Sequence, residues 1–381
     1  MIIKKLLLKN RMIPVSSPVI TKEDINYVQK ALKEGWVSSA GPYIGKFEKI
    51  FSQYIEKKHC IALSSGTAAL EVALKALGIK KGDEVIIPNF TIISNALAVV
   101  KLNAKFIPIE CDLDTWNMNI EEIEKKITKK TKAIIATHIY NFPLQIDLIK
   151  KICIKNKIFL IEDAAEVLGL QYKNKKCGYY GDISIFSFYS NKQITTGEGG
   201  MICTNNLLLA KKCRSLINLC FGNKDRFLHN DIGWNYRMTN IQAALGISQL
   251  KRINQIVKKK MSIGMQYYQK LKNNKNIYFP APKNKFSKNI YWVIAIVIKN
   301  TELNINAKKL SQILSKLHIM TRPFFWPMSE QIILKKFNSR VRDKFPNSKY
   351  ICQYGLYLPS GLNLKSSEID YICKKINDIL A

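Results

Sequence analysis

Residues 158–169 read IFLIEDAAEVLG, an apolar β-branched run that ends in Asp163 and is followed by a helical pattern. A carboxylate so placed stands at the carboxyl end of a parallel strand, where open α/β sheets bind ligands. Alone, Asp163 reads equally as a helix N-cap or as a functional acid. Outward from it, short β-branched runs alternate with helical patterns from His59 to about Asn205. Strands are expected at Cys60–Leu63, Glu84–Ile87, Lys105–Ile109, Ala133–Thr137, Ile158–Ile161, Ile183–Phe188 and Met201–Thr204. Helices expected at Thr67–Leu77 and Ile93–Leu102 are apolar on most faces, as packing against such a sheet requires. The fold class that follows is α/β with a large, mostly parallel sheet.

After Asn205 the alternation stops. Residues 206–219 and 239–273 read as helices, the second studded with Lys258, Lys259 and Lys260. A Lys, Asn and Pro stretch, Asn273–Asn289, reads as a boundary. Beyond it a strand is expected at Ile290–Ile298, a helix near Ala307–Leu317, and a last helix from Ser367 with Asp370 as its capping partner. These compose a smaller α+β C-terminal domain. The expected organisation is an N-terminal extension over 1–12, a large domain over 13–255 and a small domain over 256–381.

A length of 381 residues, at roughly 150 residues per domain, excludes a small stapled scaffold. Hydrophobic residues at 47% are too many for a disordered chain. Lys and Arg number 60 against 28 Asp and Glu, a net charge of +32. That excess raises a polyanionic partner, but it is dispersed among many Asn and Ile residues, as compositional bias produces, with no Arg-rich block or basic tail. Nine cysteines without Cys-x-x-Cys or a His at metal spacing point to a reducing, cytoplasmic setting and no metal site. The opening MIIKKLLLKN has apolar runs too short for a signal peptide, and no run approaches the ~18 residues that span a bilayer.

Two further segments converge with Asp163. SFYSNKQITTGEGG, residues 187–200, leads from a strand into a polar, Gly-rich turn that carries Lys192, and SSGTAAL, residues 64–70, sets Ser, Gly and Thr at a helix start, where free amides and the helix dipole hold a phosphate. Each is weak alone. Together a phosphate cradle, a carboxylate and a lysine at one sheet edge suit pyridoxal 5'-phosphate (PLP): lysine for the imine, carboxylate for the ring nitrogen, turn for the phosphate.

From about Ile13 to the C-terminus the chain resembles the fold-type I (aspartate aminotransferase-like) PLP-dependent transferases that act on nucleotide-linked keto sugars, the DegT/DnrJ/EryC1/StrS group. The resemblance rests on GWVSSAGPYIGKFE at 35–48, SSGTAAL at 64–70, IEDAAE at 161–166, SFYSNKQITTGEGGM at 187–201 and GWNYRMTNIQAALG at 233–246. It implies Lys192 as the Schiff-base lysine, Asp163 on the pyridine nitrogen and Glu166 near the ring hydroxyl. It also implies Gly66, Thr67 and Ser187 at the phosphate, and Asn235 reaching the phosphate of the neighbouring subunit, hence a homodimer with shared active sites. His229 and Arg237 fall in motif positions with roles left open. GWVSSAGPYI, NKQITTGEGGM and RPFFWPM resemble the branch that aminates C4 of GDP-4-keto-6-deoxy-D-mannose, which implies that sugar as acceptor and L-glutamate as donor.

Three positions depart from the group. Many relatives carry Tyr or Trp where this chain has Ile92, which leaves Phe90 as a substitute for stacking on the cofactor. Relatives of the RPFFWPM type continue with His where Ser329 stands, a contact with the sugar expected to be lost. Asn141 replaces a common Gly and tolerates the same left-handed backbone. His138, at a strand end, reads as structural. The competing readings are a UDP- or dTDP-linked acceptor, a dehydratase on the same fold, a non-catalytic regulator and a nucleic-acid binder. Retention of Lys192, which the related dehydratases replace with His, weighs against the dehydratase. An intact Asp163 and Lys192 weigh against the regulator, and the absence of a nucleic-acid motif weighs against the last.

Overall fold

The computed structural model describes residues 12–140, 142–222, 225, 227–299, 301–337 and 344–381. The opening basic run, most of the expected extension over 1–12, and Asn141 lie outside the described residues.

Seven strands build the large sheet: β1 His59–Leu63, β2 Glu84–Pro88, β3 Lys105–Ile109, β4 Thr131–Thr137, β5 Phe159–Asp163, β6 Ile183–Ser187 and β7 Gly200–Thr204. Their spatial order is β1-β7-β6-β5-β4-β2-β3. The pairs from β3 through β6 are parallel, and β7 runs antiparallel to both β6 and β1. Two reversals return β1 to the direction of β6, so the ends of β1, β4, β5 and β6 share one edge.

Strand alternation feeds a core on each face. Helix α1 (Lys22–Lys33) starts at a Thr21 capping box, and α2 (Pro42–Ile55) starts on Gly41 with Pro42 in its first turn. In α2, Phe47, Phe51 and Ile55 recur every four residues and pack beneath the sheet with Ile86, Ile134, Leu160 and Phe186. Rings of Phe47 and Phe188 lie 5.3 Å apart and those of Phe51 and Phe186 5.0 Å apart. On the other face α3 (Gly66–Ala76), α4 (Ser94–Val100) and α6 (Leu207–Leu216) cover Ile61, Val85, Ile135, Ile161 and Ile185; α5 (Ile146–Asn156) belongs to the first face.

Helices α7 (Asn240–Lys251) and α8 (Ile253–Leu271) form where one helix over 239–273 is expected. The break falls at Arg252, whose guanidinium donates to Val19 O at 2.6 Å and to Asp24 at 2.7 Å and is held out of line by them. Helix α8 contributes Ile253 and Ile256 to the large core and Ile263, Tyr267 and Leu271 to a second core. That core lies on an antiparallel sheet, β8 (Ile277–Tyr278), β9 (Ile294–Ile298), β10 (Arg322–Pro323) and β11 (Gly355–Leu358), in the order β8-β9-β11-β10. It also takes Ile13, α9 (Ala307–Lys316) and α11 (Ser366–Ile379), with α10 (Pro346–Tyr354) packed nearby. No helix among the described residues is long and apolar enough to cross a membrane.

Three local expectations are corrected. The helix expected after Asp163 is a series of turns, because Asp163 Oδ1 accepts Ala165 N at 3.1 Å in a tight turn and Gly169 takes φ +95. The strand expected over 290–298 is regular only from Ile294, since Asn289 Oδ1 captures Tyr291 N at 2.7 Å and Tyr291 has φ 49. In α11 the cap is Glu368, which accepts Lys365 N at 2.8 Å, while Asp370 pairs with Lys270 at 2.7 Å.

Gly246 lies inside α7, where a Cβ would meet the buried Phe47 ring at 2.7 Å. Alanine gains up to ~1 kcal/mol of helix propensity, but overpacking costs about 1–3 kcal/mol. Gly246→Ala is therefore expected to lower stability by about 1 kcal/mol or more, read as an earlier urea midpoint at unchanged slope; a later midpoint would refute the packing argument.

Candidate active site

Register brings the candidate site side chains together. Thr137 on β4 pairs with Asp163 on β5, and Asp163 pairs with Ile185 on β6, two residues before Ser187. Backbone bonds continue the ladder past the strand ends: His138 N to Asp163 O at 3.1 Å and Ala164 N to Ile185 O at 2.9 Å. Alternation then sends the neighbouring carboxylates to opposite faces. Glu162 is buried and accepts from Gly178 N at 2.6 Å, from Tyr180 N and Gly181 N at 2.8 Å each, and from His138 Nε2 at 3.0 Å. Burial pushes the Glu162 carboxyl up, and these bonds outweigh it, leaving the group below the usual range. His138 Nδ1 accepts Leu144 N at 3.0 Å, so its proton sits on Nε2 toward Glu162. His138 is a buried structural link, as its sequence position indicates.

Asp163 faces a cavity of about 350 Å³. The same cavity is lined by Gly66, Thr67, Glu166, Ser187 and Lys192. At its floor α3 begins: Ser65 Oγ takes Ala68 N at 3.1 Å, while the amides of Gly66 and Thr67 have no acceptor among the described residues. Thr67 Oγ1 lies 2.8 Å from Ser94 Oγ, and Ser187 Oγ accepts Tyr189 N at 3.4 Å. Two glycines permit this closeness: a Cβ on Gly66 would meet Ser187 Cβ at 2.9 Å, and one on Gly200 would meet Ser65 O at 2.5 Å.

The charges are arranged in opposition. Burial pushes the Asp163 carboxyl up, against the Ala165 amide, Lys192 and a Thr137 hydroxyl at 3.3 Å. Burial also pushes Glu166 up to about 7, against the Lys192 charge; its carboxylate accepts Tyr140 N at 3.0 Å and its carbonyl accepts Gln193 Nε2 at 2.6 Å. Burial lowers Lys192, against Glu166 and Asp163. Its Nζ lies 3.8 Å from the centre of the Trp292 ring.

Sequence reasoning missed the far wall. Trp292, Arg322, Phe325 and Tyr357 reach the cavity from the small sheet and the segments beside it, a hundred residues or more from Lys192. The RPFFWPM segment held a signal for Arg322 and Phe325; Trp292 lies in an apolar run that reads only as a strand, and no expected element covers Tyr357. Phe90 does not serve as the stacking ring: it is buried against Tyr140, Phe324 and Phe325, and Ile92 lines the cavity instead. Ser329 is not among the lining residues; its amide donates to Asn89 Oδ1 at 2.9 Å. Asn235 is exposed, bridges to Asn218 and does not line this chain's cavity. His229 Nδ1 lies 2.7 Å from Leu219 O, and Arg237 hydrogen-bonds Asn218.

These residues fit PLP. Asp163 is a buried carboxylate facing a cavity with no salt-bridged cation among the described residues, which a protonated pyridine nitrogen would supply. The open amides at the start of α3, reached only because Gly66 lacks a Cβ, suit a phosphate.

The sequence profile of the DegT/DnrJ/EryC1/StrS aminotransferase family matches residues 18–377. GDP-perosamine synthase of Escherichia coli O157:H7 is 38% identical over 96% of this chain and 98% of its own, and that of Vibrio cholerae is 35% identical over 96% and 99%. Among solved structures, Spr1654 from Streptococcus pneumoniae in its PLP form superposes with a TM-score of 0.89 at 25% identity, covering 97% of this chain and 98% of that one. The aminotransferase from Psychrobacter cryohalolentis gives 0.87 at 28%, covering 96% and 98%.

Gly66→Ala should push Ser187 off the turn and weaken PLP binding at least tenfold, about 1.4 kcal/mol, while the cofactor-free chain keeps its circular dichroism. Titration of PLP into cofactor-free protein measures this, and unchanged affinity would remove Gly66 from the cradle.

Proposed function

The chain belongs to the DegT/DnrJ/EryC1/StrS aminotransferase family, a PLP-dependent sugar aminotransferase by that membership, and from this premise we propose that it aminates C4 of GDP-4-keto-6-deoxy-D-mannose, with L-glutamate as donor, to give GDP-perosamine. The observation that carries the reading is the convergence of Lys192, Asp163 and the open start of α3 on one cavity at the carboxyl edge of the sheet. The acceptor is supported by relatives 38% and 35% identical over nearly the whole chain that bear the name GDP-perosamine synthase.

PLP, when bound, supplies an electron sink that makes a proton on the reacting carbon acidic. The Gly66 and Thr67 amides with the Ser187 hydroxyl would hold the phosphate. Asp163 would hold the ring nitrogen and, when ionised, favour its protonated form, and Glu166 would lie toward the ring hydroxyl. Lys192, the cavity's lysine, would hold the cofactor through its amine and would move a proton at Nζ. That task needs a neutral amine, and burial, by lowering Lys192, makes one accessible nearer neutral pH. Arg322, exposed at the cavity edge, meets the anionic groups that both substrates carry: the carboxylates of glutamate and the diphosphate of the sugar.

We place the working unit as a homodimer. Asn235 is exposed and does not line this chain's own cavity, and the nearby Phe227, Leu228 and Ile232 are exposed apolar side chains that a second copy would cover. Asn235 then completes the phosphate site of the partner.

Lys192→Ala is expected to remove turnover by several orders of magnitude with the fold intact, read by steady-state kinetics beside circular dichroism. Near wild-type turnover without an added amine would end the assignment.

For the acceptor, specificity constants for 4-keto-6-deoxy sugars on GDP, UDP and dTDP carriers are expected to favour GDP by at least tenfold. A preference for UDP or dTDP would overturn the acceptor and leave the aminotransferase chemistry standing.

A further inference from the structure

Lys260 is buried in the middle of α8, only 4% exposed, and no carboxylate among the described residues pairs with it. Its Nζ donates to three neutral acceptors: Trp292 O at 2.9 Å, Ser360 O at 2.6 Å and Ser360 Oγ at 3.3 Å. Burial without a counter-ion lowers this lysine to about 7. An ionisable head in such a place costs stability unless its bonds achieve something, and an apolar side chain would fill the same volume without that cost.

Its bonds gather segments that lead to the cavity. The Ser360 turn is held from other sides as well, Ser360 N donating to Val15 O at 2.8 Å and the Tyr267 hydroxyl to Pro359 O at 2.9 Å. Lys260 thus anchors the Trp292 peptide against a fixed point. Trp292 is the residue that turns from this junction into the cavity: its Nε1–H donates to Asn191 O at 2.9 Å, the carbonyl directly before Lys192, and its ring stands 3.8 Å from Lys192 Nζ. One indole therefore fixes both ends of Lys192, the backbone by its N–H and the ammonium by its face. Asp163 and Glu166 are the charged groups that act on that amine alongside it.

We propose that Lys260 is a positioning residue for Lys192, acting through Trp292: by holding the Trp292 carbonyl against the Ser360 turn it keeps the indole on the catalytic amine. The inference rests on the reading that Lys192 carries the chemistry. Loss of Lys260 leaves the Trp292 carbonyl without its donor and frees the indole to leave the Asn191 carbonyl. Loss of the ring face removes an interaction that favours the charged amine, so both changes move the Lys192 titration downward.

The test is a double-mutant cycle on the cofactor-free chain, with the pH dependence of Lys192 labelling by an amine-reactive reagent read by peptide mass spectrometry. Trp292→Leu is expected to lower the Lys192 midpoint by roughly half a pH unit. Lys260→Met should shift it the same way, and the double variant should match Trp292→Leu alone, because Lys260 has no route to Lys192 once the indole is gone. Lys260→Gln, which keeps a shorter donor, is measured beside Lys260→Met and should fall between it and wild type; it also serves if the methionine variant does not fold. An unmoved midpoint in both Lys260 variants, or additive shifts in the double variant, would overturn the proposal. Because the labelling uses no cofactor and no turnover, its outcome is separate from that of Lys192→Ala kinetics, which decides whether Lys192 carries the reaction.

Discussion

The register of three parallel strands governs where the chemistry stands. Because β4, β5 and β6 end nearly level, Thr137, Asp163 and Ser187 emerge on one edge, and the turn that follows β6 returns Lys192 to the same place. A slip of one residue in β5 would exchange Glu162 for Asp163, sending the carboxylate with four fixed donors into the cavity and the cavity carboxylate into the core. The hydrogen bonds of Glu162 to His138, Gly178, Tyr180 and Gly181 guard against that exchange, since an unpaired buried carboxylate is expensive. The hydrogen-bonded core acid and the cavity-facing acid are thus adjacent in sequence and opposite in surroundings.

The cavity itself follows from close packing beneath it. The Phe47, Phe51, Phe186 and Phe188 rings support the end of β6 and the turn after it, and the missing Cβ atoms of Gly66 and Gly200 let the start of α3 approach that end to contact distance. Dense apolar packing under a polar turn converts a flexible Ser-Gly-Thr sequence into a fixed set of donors, the form of preorganisation that anion binding requires. Asp163, Glu166 and Lys192 meet in the resulting low-dielectric space, where each feels the others strongly.

The small sheet closes the site from the other side. Trp292, Arg322, Phe325 and Tyr357 stand on or beside its strands, and Lys260 on α8 ties its start to the Trp292 peptide. Helix α8 contributes side chains to both cores, and Phe90, Trp116 and Tyr140 pack with Trp292, Phe324 and Tyr357 in a further cluster that joins the two sheets.

Local pattern was enough to determine the seven strands of the large sheet to within a residue or two and to put Asp163, Lys192 and the 64–70 turn at strand ends, because period-two alternation and strand-end polarity are written within a few residues of each other. It misjudged the turns after Asp163, the break at Arg252 and the irregular stretch before Ile294, where hydrogen bonds from distant or out-of-pattern groups override local propensity. Only tertiary structure decided that Phe90 is buried and Ile92 faces the cavity, and that Trp292 lies on Lys192. The physical reason is range: residues 192 and 292 meet through the packing of two sheets around one helix, a juxtaposition that no local window of sequence contains.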